Sequence, residues 1–237
     1  FGSSRGISNV MLADKCNITI KKRNGIGNKG GKSMIYLDNA ATTKPSKAAV
    51  DAMIKAAECF GNPSSLHGLG IEAEKLINES EKNIADMLGV ESKNILFTSG
   101  GTEANNLAVF GVAAARHKKS VQKSCYEQNS NIRLYLRHSE NLEIDGFNVE
   151  YLDVDSEGRV DLDMLRNVLD DETILISVMH VNNETGVIQP IEEIREICLE
   201  KAPYAHLHTD CVQSFGKNRC ENRKKKLGCG PCYDKQP

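Results

Sequence analysis

The stretch that decides the architecture is "NILFTSGGTEANNLAVFGVAAARH", residues 94–117. Its first six residues form a short apolar run of the length expected for a buried strand, Gly100-Gly101 interrupt it, and strong helix formers follow. Strand, glycine turn and helix in that order make the first half of a β-α-β unit. Thr102 stands at the expected helix start and Glu103 in its first turn. Unpaired amides and the positive dipole end at that point suit a phosphate, and Gly101 would let the ligand approach the backbone. A strand-glycine-helix turn is also a common plain connection, so these residues alone leave both readings open.

Upstream, "SKAAVDAMIKAAECF" (residues 46–60) is helix-forming and stops at Gly61-Asn62-Pro63. A second helix is expected over Gly70 to Leu88, where Ala73, Leu76, Ile77, Ile84, Met87 and Leu88 recur at helical spacing before Gly89. Downstream, "NVEYLDV" (148–154), "TILISVMHV" (173–181) and "AHLHTD" (205–210) have strand composition, and "DLDMLRNVL" (161–169) and "IEEIREICLEK" (191–201) have helix composition. This alternation predicts an α/β domain, a mostly parallel sheet flanked by helices. No internal repeat interrupts it.

Three stretches lie outside the pattern. Residues 1–33 carry Gly25, Gly27, Gly30 and Gly31 among Lys and Arg, which reads as a flexible leader, or alternatively a basic targeting peptide, ahead of a natural start at Met34. "SVQKSCYEQNSNIRLYLR" (120–137) has neither helical nor strand period, and after Lys217 regularity is lost again. The expected organisation is therefore a leader at 1–33, a domain over 34–217 with an irregular insert at 120–137, and a separate tail at 218–237.

Of the 237 residues, 40% are hydrophobic and 26% charged, which is a globular composition, and the formal net charge of −2 gives no reason to expect nucleic acid. No apolar run reaches the roughly 20 residues of a membrane span. With no secretory signal at Phe1-Gly2, a soluble cytoplasmic setting is expected. Eight scattered cysteines read as reduced thiols. "CGPC" at Cys229–Cys232 lacks the strand-to-helix context of a redox pair and the further ligands of a zinc site, so no metal is expected. Lys224-Lys225-Lys226 reads as a solvated charge run, and His67 as a loop histidine or a residue lining the active-site region.

The polar residues at the strand ends carry the chemistry. Asn182-Asn183-Glu184 follow one apolar strand, and Asp210 and then Gln213 end the next. In a parallel sheet the carboxyl ends of strands line the ligand crevice, which would bring these residues together. The alternative for Asp210 is a helix cap. Jointly they suit a ligand with a phosphate, a ring nitrogen that gains from a carboxylate, and a ring hydroxyl for amides. Pyridoxal 5′-phosphate has all three, since a carboxylate beside its pyridine nitrogen keeps that nitrogen protonated.

Residues 34–118 and 146–217 resemble the cysteine desulfurases of the class V aminotransferase group, through "YLDNAATT", "FGNPSSLHGLG", "FTSGGTEANNLA", "MHVNNETGVIQPI" and "HTDCVQSFGK" in that order. The resemblance implies a fold-type I pyridoxal-phosphate enzyme, a homodimer, L-cysteine as substrate and a sulfur-accepting or scaffold protein serving iron-sulfur cluster assembly or tRNA thiolation. It implies cofactor-binding roles for Gly101 and Thr102 at the phosphate, Asn183 and Gln213 near the ring oxygen, and Asp210 at the ring nitrogen. A selenocysteine lyase is the alternative enzyme of the group. An inactive fragment that associates with an intact subunit is the non-enzyme alternative.

The same resemblance implies residues without a counterpart here. The family's histidine over the ring lies in "T-S-x-x-E-H", where this chain has residues 120–137, and His138 stands in a different context. The cofactor-anchoring lysine of "S-x-H-K", the nucleophilic cysteine and the substrate-binding arginine follow "SFGK" in the family. No residue is assigned as catalytic, and the chain is expected to be inactive by itself. Rereading possible codons of "LGCGPCYDKQP" one nucleotide later permits an approach to that lysine motif, so residues 218–237 are expected to be out of frame. Sequencing the encoding DNA tests this expectation.

Overall fold

A computed structural model describes residues 35–116, 123–127 and 141–217, with the backbone alone for 123–127. The expected leader, Cys229–Cys232 and the lysine run lie outside the described residues.

The first helix, α1 (Lys47–Glu58), starts where Ser46 Oγ accepts the Ala49 N–H at 3.1 Å, and none of its residues is buried. A tight loop follows. A side chain at Gly61 would collide with the Leu69 carbonyl, and one at Gly70 with that of Ser65, so the two glycines let this loop close on itself. Helix α2 (Gly68–Leu88) ends at Gly89, whose φ of 69° is left-handed, as its glycine predicts.

The stretch 94–99 is not the strand expected of it. Ser92–Asn94 form a 3-10 turn and Ile95 is extended, but no strand lies alongside among the described residues, and Leu96 is 70% exposed. An apolar run supplies a candidate strand; a hydrogen-bonded neighbour makes it one. The glycine turn and helix α3 (Gly101–Arg116) follow as expected.

Four parallel strands form one sheet in the order β2-β1-β3-β4: β1 (Lys123–Glu127), β2 (Asn148–Leu152), β3 (Thr173–Met179) and β4 (His206–Asp210). The position of β1 corrects the reading of 120–137 as wholly irregular. "KSCYE" lies between β2 and β3, held by ladders on both sides, and such pairing does not need a periodic local pattern. Residues 128–137 lie outside the described part.

All seven residues of β3 are buried, consistent with the continuous apolar run of a strand covered on both faces. On one face Ile176 and Val178 join Leu207 and Leu152 beneath α4 (Leu162–Val168) and α5 (Ile191–Lys201), where Leu165, Ile194 and Ile197 are fully buried. Asp161 caps α4 by accepting the Asp163 and Met164 N–H groups. Strand alternation turns Leu175 the other way, into a second cluster with Val109, Val112 and Ala113 of α3. No helix among the described residues is long and apolar enough to cross a membrane.

Candidate functional site

The site is built where β3 and β4 end side by side, with Met179 opposite Asp210. Asp210 is 6% exposed. Its Oδ2 accepts from Asn105 Nδ2 at 2.9 Å and its Oδ1 from the Val212 N–H at 2.9 Å, while its carbonyl accepts the His180 N–H at 2.9 Å. Both carboxylate partners are neutral donors, and no ion pair to this carboxylate occurs among the described residues. A buried carboxylate is expensive without a cation, and its two oxygens offer about four acceptor positions, of which two are used here. Such a group is poised for a cationic or proton-bearing partner.

The first turn of α3 lies against the residues just after Asp210. A Cβ placed on Gly101 would sit 3.1 Å from Val212 Cγ2, so a glycine is what this approach accommodates. The first intrahelical bond runs from the Ala104 N–H to the Gly100 carbonyl at 3.1 Å, which leaves the amides of Gly101 and the exposed Thr102 ahead of the helical ladder. Glu103 turns its charge back onto the preceding loop, accepting the Ser99 hydroxyl and the Ser99 N–H, each at 2.6 Å. The Ser99 hydroxyl, then its amide, hold the Glu103 carboxyl below the usual range.

After β3 the two asparagines divide the work. Asn182 is buried and builds the turn: its Oδ1 accepts the Glu184 and Thr185 N–H groups at 2.8 Å, and its carbonyl accepts that of Gly186, whose φ is 76°. Asn183 is half-buried within that turn. Behind it, the buried Gln189 accepts the Val160 N–H at 2.8 Å and donates to the Gly158 carbonyl at 2.9 Å, fixing the returning chain to the α4 side. Gln213 donates to the Ala40 carbonyl at 3.0 Å, which ties the "YLDNAATT" segment to the end of β4.

Gly101, Thr102, Asp210 and Gln213 thus share one neighbourhood, centred on Asp210 to Gln213. Asn183 lies three residues beyond His180, whose N–H bonds the Asp210 carbonyl. The helix-cap alternative for Asp210 does not apply, since turns and no helix follow it over residues 211–217; its Oδ1 closes an Asx turn onto the Val212 N–H. His67 precedes α2 as an exposed residue making no side-chain cap bond. Cys59, Cys198 and Cys211 are not in disulfides.

Sequence reasoning passed over Asn105, His180 and Ser214. Asn105 is 2% exposed and occupies the apolar stripe of α3 at i, i+3, i+4 and i+7 with Ala108, Val109 and Val112. An amide in that stripe was the available signal. His180 Nδ1 lies 3.0 Å from Ser214 Oγ, and burial pushes its imidazole below the ordinary value of 6.5.

The sequence profile described as aminotransferase class-V matches residues 35–229. The chain belongs to the class-V aminotransferase family. Among members of that family, it is 46% identical over 214 residues to the cysteine desulfurase IscS of Methanosarcina thermophila, covering 84% of this chain and 52% of that protein. A solved NifS-like protein superposes with a TM-score of 0.71 at 36% identity, covering 75% of this chain and 48% of that one. A structure described as SspA in complex with cysteine gives 0.69 at 34% identity, covering 76% and 51%. The chain spans about half the length of the curated relatives it matches. Its parallel sheet and flanking helices are thus part of the fold-type I architecture of class-V aminotransferases, which are pyridoxal-phosphate enzymes.

Proposed function

We propose that the class-V region, residues 35–229, carries part of the pyridoxal-phosphate cradle of a cysteine desulfurase. The observation that carries this reading is Asp210: a buried carboxylate fixed by two neutral donors, with no described cation on it, at the carboxyl edge of a parallel sheet. That is the environment a protonated pyridine nitrogen completes. In this reading Asp210 holds the proton on the ring nitrogen, Gly101 and Thr102 present first-turn amides to the phosphate, and Asn183 and Gln213 serve the ring oxygen. Bound pyridoxal phosphate supplies an electron sink for chemistry at an amino acid's α carbon.

The substrate proposed is L-cysteine, in line with the structurally similar SspA, which was solved in complex with cysteine. The products are alanine and a sulfur atom passed to an acceptor protein for iron-sulfur cluster or thiolated-tRNA assembly, in the cytoplasm. A homodimer fits the apolar faces left open on the first two helices, where Met53 and Ile54 are more than half exposed. Pyridoxal 5′-phosphate added to the purified chain is expected to acquire circular dichroism in its own absorption band. No induced signal, or an undiminished one from Asp210→Ala, contradicts the proposal.

A further inference from the structure

Asp210 is not held by the sheet alone. Its Oδ1 is fixed by the backbone of the next turn, but its Oδ2 depends on one side chain, the amide of Asn105 on α3 at 2.9 Å. Asn105 is as inaccessible as the apolar residues around it, at 2% exposure, and its neighbours Ala104, Ala108 and Val109 are also buried. Placing an amide there is unfavourable unless it is bonded, so the geometry of one helix face is committed to this carboxylate. A hydrogen bond to a carboxylate is roughly twice as strong as one between neutral groups, so this bond fixes the direction of Oδ2 firmly.

The consequence is directional. With Oδ1 turned to Val212 and Oδ2 to Asn105, the carboxylate plane is set by two elements that also frame the site: the segment after β4, and α3, whose first turn contacts Val212. We infer that Asn105 is a positioning residue for Asp210, holding that carboxylate aimed so that the site selects a ligand bearing a protonated ring nitrogen. The inference rests on the reading of Asp210 given above and deepens it, since it makes ring-nitrogen recognition a property of α3 as well as of β4.

The test compares two ligands on the purified 237-residue chain: pyridoxal 5′-phosphate and its carbocyclic analogue, in which a C–H replaces the ring nitrogen. The quantity read is the ratio of their dissociation constants. The wild-type chain is expected to prefer the nitrogen-bearing ligand by about tenfold or more, and Asp210→Ala to abolish the preference. Asn105→Ala is expected to reduce it by about three- to tenfold, and to change nothing further in the Asp210→Ala background.

A residue that merely supports the fold would weaken both ligands alike and leave the ratio unmoved. If Asn105→Ala does not give folded protein, Asn105→Ser carries the same comparison, because its hydroxyl is shorter and holds Oδ2 less well. A full wild-type ratio in a folded Asn105 variant, beside a ratio lost in Asp210→Ala, overturns the inference and spares the role of Asp210. Equal binding of the two ligands by the wild-type chain, or binding of neither, overturns that role and the inference with it.

Discussion

The helices before residue 99 and the sheet-bearing part after it are built from similar amphipathic sequence, yet they bury it very differently. In α1 no residue is buried, and in the 21-residue α2 only Gly70, Ala73 and Ala85 are. Around the sheet, Leu152, Leu165, Ile176, Ile194 and Ile197 are all at 1% exposure or less. Helical periodicity creates an apolar face, but a second surface must cover it before hydrophobic burial contributes to stability. The sheet and α3 to α5 supply each other with that surface. The first two helices leave theirs open, with Met53, Ile54 and Met87 at least half exposed.

Truncations matched in chemistry test this difference most strongly. Ile176→Ala in β3 is expected to lower unfolding free energy by about 2–5 kcal/mol, whereas Ile54→Ala on α1 should change it by less than about 1 kcal/mol. Urea denaturation of both variants checks this, and equal losses would mean that α1 is packed as tightly as the sheet. An intermediate effect is expected from Gly70→Ala. Its new methyl group would meet the Ser65 and Asn62 carbonyls, so the loop before α2 must open, at about 1–3 kcal/mol. The first helices would then be held by a backbone fit rather than by apolar burial. An unchanged urea midpoint would show instead that this loop moves aside freely.

The smallest expected effect is a pH dependence in the sheet-bearing part. Burial lowers the pKa of His180, so the unfolded chain binds a proton more readily than the folded one. Stability from this source is complete above the ordinary value of 6.5 and declines as pH falls from there through the folded value. Thermal melts of wild type and His180→Gln across that interval should differ in slope, with the variant flatter. Parallel slopes would remove His180 from the account.

Elements set by local chemistry were legible in the sequence. Ser46, Asp161 and Gly89 mark helix ends by capping or left-handed geometry, and α5 spans the same residues as its pattern, Ile191–Lys201. Elements set by pairing were not. β1 has no periodic pattern of its own but is central, while "NILFTS" has strand composition but no described neighbour. The site divides in the same way. Asp210 and Gln213 were readable because polar residues at the end of an apolar strand are conspicuous. Asn105 was not, because its role depends on a partner more than a hundred residues away that only the fold brings to it.

The central claim is that the Asp210 carboxylate, held by Asn105 and Val212, meets a protonated ring nitrogen. Nitrogen-15 NMR of pyridoxal 5′-phosphate labelled in the ring and bound to the chain reads that protonation directly. The expected result is a protonated nitrogen in wild type at neutral pH and an unprotonated one in Asp210→Ala. An unprotonated nitrogen in wild type, or the same resonance in both proteins, would contradict the account.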